Sequence, residues 1–139
     1  LKDAYLKEFI EKLFIGYRES FNDPKKILNK YSLGIAHHKV IHLVSLHQGI
    51  TISQLLGKLK VTKQSLNRVL KDLISLDAIQ FKKGEKDTRL KHVFLTKKGN
   101  QIFNEIFFAQ KQRIYKALIN SSSIEINSFN NVLKKIINE

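Results

Sequence analysis

The sequence contains no cysteine, which excludes disulfides, thiolate zinc sites, iron–sulfur clusters and thiol redox switches. It also lacks a run of about 18 apolar residues, a signal-peptide pattern and a lipidation motif, so we expect a cytoplasmic protein without membrane association. Methionine is absent too and the chain starts at Leu1, so we expect that the native N-terminus has been trimmed. With 42% apolar residues, the chain can still bury the core of one domain.

Acidic residues are scarce, with 12 Asp and Glu against 25 Lys and Arg and a net charge of +13. Such a balance indicates an anionic partner, which could be DNA, RNA or an anionic membrane surface. The excess is concentrated, because residues 58–98 hold 12 Lys and Arg against 4 Asp and Glu, or +8 of the total. Clustered cations neutralise phosphates locally, so this segment favours nucleic acid.

The apolar spacing predicts a mainly α-helical chain with one small β-hairpin. The hairpin pairs residues 79–82 with 91–95 around a charged tip at 83–90, and residues 50–52 can form a minimal strand. Thr96 is the expected N-cap of a long helix that breaks at residues 120–123. The predicted helices cover, in order, residues 1–21, 25–31, 35–47, 51–59, 62–77, 96–119 and 124–137.

Two of these helices, near the middle of the chain, form a predicted helix-turn-helix. Thr51 and Gln54 make a capping box at the start of the first helix, and Thr62 caps the second. Only a few residues separate the two helices, which is typical of this motif. The side chains expected to face inward are Leu55, Leu56, Leu59, Val61, Leu66, Val69 and Leu70.

The hairpin carries the most specific motif. Asp87–Arg89 with Lys91, followed by Leu95–Gly99, resembles the D-x-R-x-K and L-T-x-x-G signature of the MarR family of winged helix-turn-helix transcriptional regulators. Lys60 and Asp77 stand where that family usually has glycine, so each is expected to adopt a positive φ. Further similarities, some of them to a proteobacterial subgroup, lie at Ile52–Leu55, Ser65–Leu70, His37–His38 and Thr62–Leu66.

The resemblance implies a single winged helix-turn-helix domain over the whole chain. The helix-turn-helix and the β-wing would occupy about 35–97, and N- and C-terminal dimerisation helices would occupy about 1–21 and 97–139. It further implies a homodimeric regulator of transcription in the bacterial or archaeal cytosol, associated with the nucleoid and bound to a pseudo-palindromic operator in double-stranded DNA. It implies no enzymatic activity and no cofactor, and a small-molecule effector as a further partner.

The second helix of the motif and the wing hold the expected DNA contacts. Gln and Asn can pair with adenine and Arg or Lys with guanine in the major groove, while Arg89 is expected in the minor groove. Asp87 would accept hydrogen bonds that orient Arg89, and the wing lysines, including Lys82, would contact phosphates. The alternative is a solvated helix face with a mobile loop. The expected contacts are Ser53, Thr62, Lys63, Gln64, Ser65, Asn67, Arg68, Lys71, Lys83, Lys86, Asp87, Arg89 and Lys91.

The terminal helices present more large apolar side chains than a small winged domain can cover. A two-fold dimer would bury them and would place two recognition helices about one DNA turn apart, roughly 34–36 Å. Self-burial within one chain is the alternative. The residues expected at the dimer interface are Leu6, Phe9, Leu13, Ile114, Leu118, Leu133, Ile136 and Ile137.

Three histidines lie on one predicted helix, and His38 and His42 have an i, i+4 spacing that suits a metal. No H-E-x-x-H glutamate accompanies them and no carboxylate is near in sequence, so a structural role is favoured and no metal is expected. The resemblance also implies a crevice between the dimerisation helices and the helix-turn-helix, where Phe14, Tyr17, His38 and His42 could hold an effector.

Three other functions compete with a specific regulator. A sequence-tolerant architectural DNA-binding protein of the same fold would bind with steep salt dependence but little site preference. An enzyme built on the histidines lacks a nucleophile–base pair, a glycine-rich phosphate loop and a metal triad. An RNA-binding module is disfavoured because the aromatic residues lie on predicted core faces and none is expected to interleave the basic strands.

Overall fold

A computed structural model describes residues 1–138 of the chain. Over these residues the secondary structure is mainly helical with one small antiparallel sheet, which confirms the predicted fold class. None of the described helices combines the length and apolar character needed to cross a bilayer. The elements are α1 (Asp3–Asn22), α2 (Lys25–Lys30), α3 (Ile35–Leu46), β1 (Ile50–Thr51), α4 (Ile52–Leu59), α5 (Lys63–Ser75), β2 (Ile79–Lys83), β3 (Lys91–Leu95), α6 (Lys97–Ile119) and α7 (Ser123–Ile136).

The chain divides into two compact units. The central unit, Pro24–Phe107, contains α2 to α5, the sheet and the first part of α6. The terminal unit consists of Leu1–Asp23 and the chain from Phe108 onward, and it contains α1, the rest of α6 and α7. The predicted extent of the winged domain and of the dimerisation helices stays a prediction.

The core of the central unit is built from apolar stripes at helical spacing and from alternate residues of the strands. On α5, for example, Leu66, Leu70 and Leu73 recur every three to four residues and are each at most 3% exposed. Burial of such side chains stabilises a domain by roughly 1.5–3 kcal/mol each. The other members include Val40, Ile41 and Val44 of α3, Leu55 of α4, Ile79, Val93 and Leu95 of the sheet, and Ile102 and Ile106 of α6.

The helix-turn-helix consists of α4 and α5. The Thr51 hydroxyl accepts the Gln54 N–H at 3.1 Å, and the Gln54 side chain accepts the Thr51 N–H at 3.0 Å, which confirms the capping box. The Thr62 hydroxyl accepts the Ser65 N–H at 3.1 Å, so the second predicted cap is also present. Between the helices Lys60 has a φ of +52°, as expected for a residue that replaces glycine.

Val61 contradicts its predicted inward orientation. Its side chain is 46% exposed, whereas Leu55 and Leu66 on either side of the turn are buried. The prediction extended helical periodicity through the turn, but the periodicity stops at Leu59 and restarts only at Lys63. Val61 therefore belongs to neither apolar stripe.

The sheet has the order β1-β3-β2, and all pairs are antiparallel. Val93 pairs with Ile50 on one side and with Phe81 on the other, at the centre of the sheet. The register Ile79 to Leu95 and Lys83 to Lys91 leaves residues 84–90 as the tip of the wing. β3 lies where the sequence predicted it, and β2 extends one residue further than predicted, to Lys83, because Lys83 pairs with Lys91.

The residues that follow α5 pack against the residues at the start of α6. Asp77 has the predicted positive φ, +60°, and Ala78 donates its N–H to Leu73 O at 2.9 Å. Thr96 donates its N–H to Ala78 O at 3.0 Å and its hydroxyl to Asp77 O, while that hydroxyl accepts the Gly99 N–H at 2.9 Å. A Cβ on residue 99 would lie only 1.9 Å from Ala78 O. This contact explains why the L-T-x-x-G motif requires its glycine.

The terminal unit buries little of its apolar surface. Neither α1 nor α7 has a buried residue, so the apolar faces of these helices are at most half-buried within the single chain. Polar contacts link the first and the sixth helix: Gln110 donates to Ser20 O at 3.1 Å, and the Arg113 guanidinium binds both carboxylate oxygens of Asp23, at the end of α1, at 2.7 and 3.0 Å. That guanidinium lowers the pKa of Asp23 below its ordinary value.

The predicted interface residues differ in their exposure within one chain. Phe9, Leu13 and Leu133 are half-buried. The others are 43–60% exposed in the single chain, and these are Leu6, Ile114, Leu118, Ile136 and Ile137.

Candidate nucleic-acid interface

The outer face of α5 is polar from Lys63 to Lys71, and Ile74 is an exposed apolar residue near the end of the helix. Because Leu66, Leu70 and Leu73 face the core, the polar residues between them point to solvent. Their amide and cationic groups are those that read base edges or bind phosphates. The exposed side chains of this face are Lys63, Gln64, Ser65, Asn67, Arg68 and Lys71, and Ser53 is exposed on α4.

The first turn of α5 is fixed by side-chain hydrogen bonds. Besides capping the helix, Thr62 donates its hydroxyl to Ser65 Oγ at 2.8 Å. Both of these predicted contact residues lie at the N-terminal end of the helix, and both are exposed. A recognition helix uses this end to reach base edges.

At the wing tip, Asp87 holds Arg89. One carboxylate oxygen of Asp87 accepts the Arg89 N–H at 3.0 Å and Nε–H at 3.1 Å, and the other accepts Nη2–H at 3.1 Å. The predicted hydrogen bonds are therefore present. The Arg89 side chain is nonetheless 89% exposed. Its guanidinium lowers the pKa of Asp87, so the pair stays ionised at neutral pH and is lost only as the pH falls through that lowered pKa.

The strands of the wing carry two lysine–aromatic pairs. The Lys82 ammonium lies 4.8 Å from the centre of the Phe94 ring, and the Lys91 ammonium lies 5.6 Å from that of Phe81. The expectation that no aromatic residue interleaves the basic strands was therefore wrong. Strand alternation brings each phenylalanine beside a lysine of the paired strand, and both rings are half-buried. Lys83 and Lys86 are exposed.

His37 connects α3 to α5 through Asp72, a residue that the sequence did not single out. Gly34 donates its N–H to His37 Nδ1 at 3.0 Å, which leaves the proton on Nε2. Nε2 lies 2.9 Å from Asp72 Oδ2 on α5 and donates to it. Asp72 is 35 residues away in the chain, so sequence spacing gave no signal of this pair.

The other two histidines occupy different environments. His38 is completely buried in the core of the central unit. His42 meets Phe103 edge to face, with ring centres 6.0 Å apart, and burial followed by the neighbouring His47 lowers the pKa of His42. Within residues 1–138, no three His, Asp or Glu side chains gather as a metal-binding group.

The four residues expected to line an effector crevice come from both units. Phe14 and Tyr17 are exposed on α1 of the terminal unit, and Tyr17 packs on Phe21 at 4.8 Å between ring centres. His38 and His42 belong to the central unit. This crevice stays a prediction.

Known proteins resemble this chain in sequence and in fold. No family model matches the chain. The HTH-type transcriptional regulator PetP of Rhodobacter capsulatus is 36% identical over 137 residues, which cover 99% of this chain and 82% of PetP. The fold is similar to that of Staphylococcus aureus MarR, solved in complex with salicylate and kanamycin, with a TM-score of 0.76, 22% identity and coverage of 99% and 95%. A SlyA-like regulator from Listeria monocytogenes gives a TM-score of 0.74 at 22% identity, covering 92% of this chain and 85% of that one.

The chain is thus a helix-turn-helix transcriptional regulator and not an enzyme. It belongs to the MarR family, as its wing signature indicated.

Proposed function

We propose that the protein regulates transcription by binding a specific sequence of double-stranded DNA as a homodimer. The observation that carries this proposal is the exposed polar face of α5 together with Arg89 at the wing tip, both on the central unit. That unit holds 16 Lys and Arg against 5 Asp and Glu, so +11 of the net +13 lies there. A DNA duplex is the partner that such a surface fits best.

The side chains divide by their chemistry. Gln64, Ser65, Asn67 and Arg68 would read base edges in the major groove, and Arg89 would enter the minor groove. Thr62 would present its hydroxyl at the helix N-terminus, and Asp87 would hold Arg89 in place. The residues that would bind phosphates are Ser53, Lys63, Lys71, Lys82, Lys83, Lys86 and Lys91.

The exposed apolar side chains of the terminal unit support the homodimer. Ile114 and Leu118 on α6 and Ile136 on α7 are each more than 40% exposed in the single chain. A monomeric protein seldom leaves this much apolar surface in water. A two-fold axis would cover the same surface on both chains and would pair two recognition helices on a pseudo-palindrome.

A small-molecule effector is the remaining part of the proposal. Within the central unit, Phe103 stacks on Phe107 with 5.7 Å between ring centres, and His42 meets Phe103 edge to face. Phe107 is 43% exposed, so this aromatic surface can take a flat ligand. The complex of S. aureus MarR with salicylate supports a ligand of this kind. To regulate, an effector must bind one spacing of the recognition helices more tightly than another.

Selection of genomic DNA by the purified protein, followed by affinity measurement against scrambled sequence, tests the function. We expect a pseudo-palindrome with half-sites one turn apart, bound at least about 10³-fold more tightly than scrambled DNA. Broad enrichment of A·T-rich DNA without a motif, with a steep salt dependence, would instead support the architectural alternative.

Substitution Arg89→Ala is expected to weaken binding to the selected site by roughly 1–3 kcal/mol without changing the thermal stability of the protein. The side chain is almost fully exposed, so its loss removes a DNA contact and an intraloop ion pair but no packing. Lys86→Ala is the matched control on the same loop, and it should weaken all sequences about equally and reduce the salt dependence. Unchanged operator affinity in the Arg89 variant would remove the wing from the proposed interface.

A further inference from the structure

Val61 is an apolar side chain at the polar end of the recognition helix. Its side chain is 46% exposed. Between residues 58 and 71, all of which the structure describes, no other large apolar side chain is exposed. Thr62, Lys63 and Gln64, which follow it directly, are polar and exposed.

The fold does not account for a branched apolar residue at this position. The turn geometry depends on Lys60, with its positive φ, and the start of α5 is capped by Thr62. Val61 is absent from the buried core and from the apolar residues packed against it. Its isopropyl group therefore contributes little to packing, while a polar residue would be better solvated here.

The chemistry of the major groove supplies a complement. Of the groups exposed there, the C5-methyl of thymine is the apolar one, and the others are hydrogen-bond donors or acceptors. Residues at the N-terminus of a recognition helix reach base edges. An isopropyl group beside Gln64 can thus gain free energy only where a thymine methyl faces it, because it cannot bind a phosphate or a base amide.

We propose that Val61 reads the C5-methyl of one thymine in each half-site and is a specificity-determining residue of this regulator. The inference rests on the proposed sequence-specific binding. The Val61 side chain would contribute dispersion and hydrophobic burial, in addition to the hydrogen bonds that Gln64 and Asn67 would make. The selected sequence would then contain a thymine that no hydrogen-bonding side chain explains.

Replacing each thymine of the selected site by deoxyuridine, one base pair at a time and in both half-sites, tests the proposal. Deoxyuridine keeps every hydrogen-bonding group and removes only the methyl. At one position the wild-type protein should lose about fourfold in affinity per half-site, the value of about one buried methyl group. In Val61→Ala the same replacement should change affinity by less than about twofold, since the partner of the methyl is gone.

Ile74→Ala is the matched control, because Ile74 is an apolar residue of the same helix with nearly the same exposure, 44%, but lies near its other end. That variant should keep the wild-type deoxyuridine profile. Val61→Ser, which removes both methyl groups, gives a second readout if the alanine variant melts early, and the same replacement should again change its affinity by less than about twofold.

Identical deoxyuridine profiles for the wild-type protein and the Val61 variants would overturn the inference while leaving the proposed function intact. Equal affinity of the wild-type protein for selected and scrambled DNA would overturn both.

Discussion

Gly99→Ala is expected to destabilise the protein by about 3 kcal/mol, at the upper end of the effect of overpacking a filled site. The added Cβ would lie 1.9 Å from Ala78 O and 2.8 Å from Ala78 C, and backbone atoms cannot move aside as a side chain can. The Ala78 carbonyl also accepts the Thr96 N–H, so a shift would strain the joint between α5 and α6. The recognition helix would be displaced at its C-terminal end.

The sign of this effect is informative, because glycine to alanine inside a helix normally stabilises by about 0.5–1 kcal/mol. Gly57 on α4 provides the control, since a Cβ there would meet no atom within 4 Å. Urea unfolding should show Gly57→Ala at least as stable as the wild-type protein and Gly99→Ala far less stable. A Gly99→Ala protein of wild-type stability would show that Ala78 and α6 do not approach as the structure describes.

Ile114→Glu is expected to convert a dimer into monomers or to unfold the protein with it. The side chain is 46% exposed in the single chain, so the carboxylate is solvated there but would be buried at the proposed interface. An unpaired buried charge costs roughly 3–5 kcal/mol. A two-fold dimer would bury two such charges, so the dissociation constant of the dimer should rise by at least about 10³-fold.

Sedimentation velocity at micromolar concentration measures this change. Gln101→Glu adds the same charge to α6 and should leave the association state unchanged. Gln101 is exposed, and the residues one turn away from it, Lys98, Asn104 and Glu105, are all polar, so its face is not part of the apolar surface. A wild-type protein that sediments as a folded monomer, or an Ile114→Glu protein that remains a dimer, would contradict the homodimer.

The local structure of this chain follows from local chemistry. Caps such as Thr51 with Gln54 and Thr62 use side-chain oxygens three residues from the N–H groups that they accept, so sequence spacing is enough to predict them. Lys60 and Asp77 were recognised from the positions that a positive φ requires. The wing signature predicted the bonds between Asp87 and Arg89, because those residues are two apart.

Only the tertiary structure decided which distant segments are in contact and which side chain of the turn is exposed. The pair of His37 and Asp72 joins side chains 35 residues apart, and no periodicity links them. Stacking of Lys82 on Phe94 depends on strand register, which alternation alone does not fix. The outward position of Val61 depends on where one apolar stripe stops and the next begins.

The sequence by itself therefore determined the class of protein, the elements, the caps and the surface that carries the charge, since each depends on residues close together in the chain. The tertiary structure decided why residue 99 must be glycine, because Ala78 approaches it from 21 residues away. It also decided that the apolar faces of α1 and α7 are covered only in part within one chain, because burial is a property of the whole packed surface and not of any single helix.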